Sequence, residues 1–262
     1  MQAYFASLLS GILLLAYSAA GAPNAARSVC NEDNACVEAA FQKSVDAARQ
    51  GRYLQGSFGL LADLGVDSPD KIRDEDTFDQ WSQVWSAMTG APAANGSKAA
   101  YRHVSPEEIA TLQAAETRPA LAEIAARAKH TRIVILDEDH LAPRDRAFGL
   151  EVARVLRPLG YSVLAVEALT RDKDDAVSLA KMQALAKDGF VRRSSGYYLN
   201  DPVFADYLRQ AMAMGFRLVS YESAGFTEEK DEEVQFVRRE QEQAENIVRR
   251  ALEPDPHAKV LV

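Results

Sequence analysis

The chain predicts an α/β fold, a mainly parallel sheet flanked by helices and preceded by an N-terminal helical accessory segment. Two observations predict it. Three short apolar runs each end on acidic or imidazole groups: Arg132–Leu136 before Asp137-Glu138-Asp139-His140, Tyr161–Val166 before Glu167, and Phe216–Tyr221 before Glu222. Runs like these, rich in β-branched residues and each following a helix-like stretch, are the pattern of parallel strands buried on both faces in βαβ units. In addition, helical and strand patterns alternate from Ser105 to the last residue, and such alternation specifies a sheet with helical crossovers.

Taken in order, Met1 to Ala22 reads as a secretory signal, with an apolar stretch from Leu8 to Tyr17 and then small residues that offer cleavage after Ala20 or Ala22. Its apolar core is well short of the roughly 20 residues of a membrane span, so a periplasmic or secreted protein with no stable membrane span is expected. The two cysteines, Cys30 and Cys36, enclose five residues rich in Asn and Asp. That spacing suits a small disulfide-closed loop better than the two-residue spacing of zinc or redox pairs.

Residues 23–100 are expected to form the helical accessory segment and a linker. Val37, Ala40, Phe41 and Val45, and later Phe78, Trp81, Val84 and Trp85, recur at helical spacing. Trp81 and Trp85 stand one turn apart and read as core or docking residues. Gly90 to Ser97 has the small, turn-forming composition of a linker.

Residues 101–262 are expected to form the α/β domain. Ser105-Pro-Glu-Glu marks a helix start with proline in the first turn. Helices near 106–114 and 118–129 then lead to a strand at 131–136, a helix near 145–157, a strand at 161–166 and a helix near 173–187. A polar loop over 189–200 follows, then a helix at 203–214, a strand at 216–221, a charged helix over about 228–251 and a strand from Ala258. Lys259–Val262 ends the chain inside that strand, so the domain is expected to be incomplete, with an apolar sheet edge left uncovered.

A composition 47% hydrophobic and 26% charged is that of a globular protein with a core, not of a disordered one. A net charge of −8, with arginine pairs scattered rather than clustered, lacks the electrostatic footprint of a nucleic-acid binder. The expected partner is a small-molecule or peptide substrate.

The chemistry is expected at the strand ends, because open α/β sheets bind ligands at the carboxyl edge of their strands. Glu138 and His140 lie two apart. On extended backbone they share a face, with Asp137 and Asp139 on the other. Side by side, a carboxylate and an imidazole can ligate a divalent ion or act as a general base with its orienting partner. Glu167 and Glu222 follow strands that should be buried and need partners, since burying a carboxylate alone costs several kcal/mol. One alternative for each is a helix N-terminus or an arginine. The acids at Asp172–Asp175, Glu228-Glu229 and Asp231–Glu233 read as solvated helix starts. His103, His130 and His257 read as packing residues.

The order of motifs resembles a known superfamily. Leu136-Asp-Glu-Asp-His140 with Arg146-Ala-Phe148, Glu167, Gly196-Tyr-Tyr with Asp201-Pro-Val-Phe204, Tyr221-Glu222 and Arg239-Glu-x-x-x-Ala-x-Asn246 resemble motifs of erythromycin esterases, ChaN-like haem-binding proteins and Tiki-type metalloproteases. The resemblance covers about residues 100–262. Asp137 stands where the superfamily usually has Gly or Asn; all three tolerate a left-handed turn, so a turn is expected there. Gln243 stands where many relatives have Met, and relatives continue into a second histidine motif that this chain lacks. The resemblance implies a hydrolase acting on an ester or peptide bond through Glu138, His140, Glu167 and Glu222, with these residues as ligands of a divalent Mn, Co or Zn ion where one is used. The alternative it implies is a haem- or iron-binding protein without catalysis, with Tyr197 and Tyr198 as cofactor ligands, since tyrosine can ligate haem iron; by themselves the two tyrosines read more simply as loop packing residues.

Overall fold

A computed structural model of the protein describes residues 30, 33–91, 104–170, 172–224 and 231–262. The expected signal, most of the expected linker, His103 and Glu228-Glu229 lie outside these residues.

The N-terminal part holds helices α1 (Asn34–Arg49), α2 (Tyr53–Leu64) and α3 (Glu75–Thr89). Asp33 starts α1 by accepting from the Ala35 N–H, and Asp74 starts α3 by accepting from the Thr77 N–H at 2.9 Å. Each satisfies a donor that the first helical turn leaves without a partner. The apolar stripes of the three helices close on a core of their own, with Leu60, Leu61, Leu64, Phe78 and Trp81 at its centre. Trp85 stacks on Trp81 at 5.5 Å, so both tryptophans serve packing. Cys30 and Cys36 are joined by a disulfide that ties the chain to the first turn of α1.

The α/β part holds α4 (Pro106–Ala114), α5 (Ala120–Ala128), β1 (Ile133–Val134), α6 (Pro143–Leu156), β2 (Tyr161–Val166), α7 (Asp175–Asp188), α8 (Pro202–Ala213), β3 (Arg217–Ser220), α9 (Glu232–Ile247) and β4 (Lys259–Leu261). A π-helical turn over Val248–Leu252 continues α9. All strand pairs are parallel and the order is β1-β4-β2-β3, an α/β fold as the sequence predicts. The uncovered edge expected of the last strand is not seen, because β4 is bonded on one side to β1 and on the other to β2. β1 is shorter than the strand expected at 131–136. Its backbone pairing nevertheless runs further, from Val260 N–H on Arg132 C=O to Leu136 N–H on Val262 C=O.

The pleat of β2 divides the core into two layers, as strict side-chain alternation requires. Leu164 and Val166 face Leu156, Leu208 and Ala211 of α6 and α8, whereas Val163 and Ala165 face Ile247, Ala251 and Val260 on the side of α9. Asp174 and Asp231 cap α7 and α9 through their own backbone donors, the local role expected of those acids. Asp175 does more, since it pairs with Arg249 and Arg250 and so joins the start of α7 to the end of α9. His130 and His257 are exposed, which corrects the expectation that they pack.

Candidate active site

The parallel register sends Glu138 and His140, Glu167 and Glu222 to the carboxyl edge of one sheet, past β1, β2 and β3. Beyond β1 the backbone stays extended: Val134, Leu136, Glu138 and His140 are half-buried in alternation with exposed Ile133, Ile135, Asp137 and Asp139. Among the described residues, Tyr198 is the one non-glycine with positive φ, so the left-handed turn expected at Asp137 is absent. The turn comes at Asp139 instead, where its side chain accepts from the Leu141 N–H at 2.8 Å and its carbonyl from the Ala142 N–H.

Glu138 and His140 then face each other. The His140 Nδ1 lies 3.1 Å from Glu138 Oε1. Arg146, one turn into α6 and only 4% exposed, donates from Nε and Nη2 to the same carboxylate at 2.7 and 2.9 Å and from Nη1 to Asp201. Asp201 also starts α8 by accepting from the Val203 N–H. One guanidinium therefore locks the ends of β1, α6 and α8 together, in the two-pronged geometry that arginine alone among the side chains offers. Burial would raise the Glu138 carboxyl, but the bonds from His140 and Arg146 outweigh it and hold it below its ordinary range. The same bond to Glu138 raises the His140 imidazole against its burial and the charge of Arg146.

A second guanidinium, Arg239 on α9, reaches both Glu167 and Glu222. Glu222 is 2% exposed, so its charge depends on partners from the protein. It accepts from Arg239, from Gln243 at 3.0 Å and from the Ser223 N–H at 2.6 Å, while Asn246 donates to the Tyr221 carbonyl behind it. Burial opposes this charge, yet those bonds and one shared with Glu167 hold the Glu222 carboxyl down at about 2. Glu167 is displaced the other way, because burial and the hydrogen bond with Glu222 raise it against the pull of Arg239. The two acids form one unit, in which Glu167 holds a proton more readily than Glu222.

Tyr198 completes the site under constraint. The Tyr197 N–H donates to the Ala168 carbonyl at 2.7 Å, and the Thr170 N–H to the Ser195 carbonyl, pinning the loop against the chain just after β2. A Cβ on Gly196 would stand 1.9 Å from the Ala168 oxygen, so only glycine allows this approach. Tyr198 follows with φ 54°, a conformation costly for a tyrosine and one that clusters at functional sites. Its ring lies 4.8 Å from that of His140. Tyr197 is 56% exposed.

Two cavities meet here. A small one of about 150 Å³ is lined by Glu138, His140, Arg146, Glu167, Tyr198 and Tyr221. A larger one of about 340 Å³ lies between the N-terminal helices and the sheet edge, and shares His140, Arg146 and Tyr198 with the first. Glu222 is not on either wall; it stands behind Glu167 and Arg239. The Tyr53 hydroxyl of α2 donates to the Asn200 carbonyl, which holds the accessory helices against the site loop.

As ligands for a metal ion these residues do not fit as arranged. Both Glu138 oxygens are taken by Arg146 and His140, and both Glu222 oxygens by Arg239 and Gln243. Among the described residues, no three His, Cys, Asp or Glu side chains gather as a metal site would require. The arginines Arg146 and Arg239, with Asp201, Gln243 and Asn246, stand in or beside the motifs that carry the resemblance, but the sequence alone assigns them no role at the site. A buried strand-end carboxylate demands a cation, and that was the signal for the arginines. No protein-family model, curated protein or solved structure matches the chain.

Proposed function

We propose that the protein is a hydrolase of ester or amide bonds in which His140 acts as general base without a metal. The observation that carries this reading is the Glu138–His140 pair at 3.1 Å on the wall of a cavity that also holds Glu167. With Nδ1 turned to Glu138, the proton rests there and Nε2 keeps its lone pair for a water molecule. Glu138 is itself held in place by Arg146, so the imidazole is oriented as well as made more basic. The water oxygen attacks the carbonyl carbon as its proton passes to Nε2. Glu167, whose hold on a proton is raised, is suited to hand one to the departing oxygen or nitrogen as the carbonyl–heteroatom bond breaks. The motif order that resembles erythromycin esterases supports the same reading. No separate observation favours the haem alternative.

We also infer export to an oxidising compartment, on the support of the Cys30–Cys36 disulfide and the leader-like Met1–Ala22. Among the described residues, no helix is long and apolar enough to cross a membrane.

The test is a panel of chromogenic esters and N-acyl amides. His140→Ala and Glu138→Gln are expected to lower kcat/KM by about 100-fold or more while leaving the fold intact. Unchanged hydrolysis by His140→Ala, or activity that chelators abolish, would overturn the proposal.

A further inference from the structure

Much of the wall of the larger cavity is supplied by the accessory helices, which hold none of the groups assigned to the chemistry. Phe41, Val45 and Arg49 come from α1, Gln80 and Gln83 from α3, and Asn200 from the loop before α8. Beside the shared residues His140, Arg146 and Tyr198, this gives an apolar body, several amide groups and one cation, the exposed Arg49.

The charges do not balance. Among the described residues lining the cavity the one carboxylate is Asp201, and it is taken up by Arg146 and by the start of α8. Arg146 in turn is committed to Glu138 and Asp201. Arg49 makes no ion pair with any described residue. A positive point in the cleft of a protein whose net charge is −8 is the reverse of what the whole surface would give by default. A cation in the last turn of α1 also suits the helix dipole, which accounts for a basic residue there but not for its place on a cavity wall.

We propose that this cavity binds the body of the substrate, and that the substrate is an acyl or peptidyl chain with an apolar or aromatic group and a free carboxylate that pairs with Arg49. The amides of Gln80, Gln83 and Asn200 match the donors and acceptors of a peptide-like chain, and Phe41, Val45 and Tyr198 match its apolar part. The scissile group then lies where the two cavities meet, at His140. The inference rests on the reading of His140 as the base, but its test does not need turnover.

The test is calorimetric binding of hippurate, which carries a benzoyl group, an amide and a carboxylate, against its neutral amide, hippuramide. Wild type and His140→Ala are expected to bind hippurate at least about tenfold more tightly than hippuramide, the scale of one hydrogen-bonded charge. Arg49→Gln should bring hippurate to the level of hippuramide, and Arg49→Lys should keep most of the preference. Equal affinity for the two probes, no binding of either at millimolar concentration, or an unchanged preference in Arg49→Gln would each overturn the proposal. If Arg49→Gln fails to fold by circular dichroism, the wild-type comparison of the two probes decides. Hippurate preference without hydrolysis of any ester or amide would sink the hydrolase reading and leave the binding site standing.

Discussion

His140 takes its character from two neighbours that pull in opposite directions. Glu138 raises the imidazole and Arg146 lowers it, and Glu138 prevails because its oxygen lies in direct hydrogen-bond contact. The sign has a consequence for rate. The base form appears only as pH passes the raised value, so kcat/KM should climb through an apparent pKa above the ordinary 6.5 or so of histidine. Glu138→Gln should move that midpoint down towards 6.5 as well as lowering the plateau. Stability follows the same sign: a group raised in the folded state contributes fully below its unfolded value, and the contribution fades as pH rises through the folded one. The stability gap between wild type and Glu138→Gln should therefore be widest below about pH 6.5 while Glu138 stays ionised, and should narrow both above that and in strong acid as Glu138 takes up its own proton, as acid-to-neutral denaturant melts would report. A profile whose midpoint falls below 6.5 would contradict the pairing. At this scale the sequence placed Glu138, His140, Glu167 and Glu222 at the strand ends, because each follows an apolar run. It was silent on which arginine answers which acid, since Arg146 and Arg239 reach their partners across the fold from helices whose docking no local pattern encodes.

Elements bounded by strong local chemistry were legible. The capping box at Ser105 starts α4 where predicted, and β2 covers the expected 161–166, since glycine precedes it and a buried run fills it. β1 was less so, as its length is set by the three-residue partner β4 and not by its own sequence. The loop from Gly189 to Asn200 was legible only as polar. What it does depends on one close approach, the Gly196 backbone on the Ala168 carbonyl, which places Tyr198 on His140. Gly196→Ala must displace that contact and should cost about 1–3 kcal/mol of stability, with a loss of kcat/KM because the Tyr198 ring moves. Gly189→Ala is the control. Its φ is +75° with open space around the missing Cβ, so it should cost only about 1 kcal/mol and leave activity alone. Thermal melts of the two variants beside their kinetics make the comparison, and equal effects on activity would mean that the loop does not position Tyr198.

At the scale of the whole molecule, helical periodicity marked an accessory helical segment through positions of α1 and α3, without delimiting α2, and could not say what it docks against, since a stripe specifies a buried face and not its partner. The structure gives these helices a core of their own and joins them to the site through Tyr53 and the wall of the larger cavity. Two cores in contact imply that one can loosen while the other holds. The Cys30–Cys36 bridge lies wholly in the first unit, where closing so small a ring contributes roughly 2 kcal/mol by the loop-entropy estimate. Replacing both cysteines by serine should then speed amide hydrogen exchange across α1 to α3 and leave β2 and β3 protected. Hippurate affinity should fall with it, because Arg49 rides on α1, while hydrolysis of a small neutral ester should persist, because the groups assigned to the chemistry stand on the sheet edge and its own loops. Exchange that quickens equally in both units would show a single cooperative molecule, in which the accessory helices hold the active site together rather than only widening its reach.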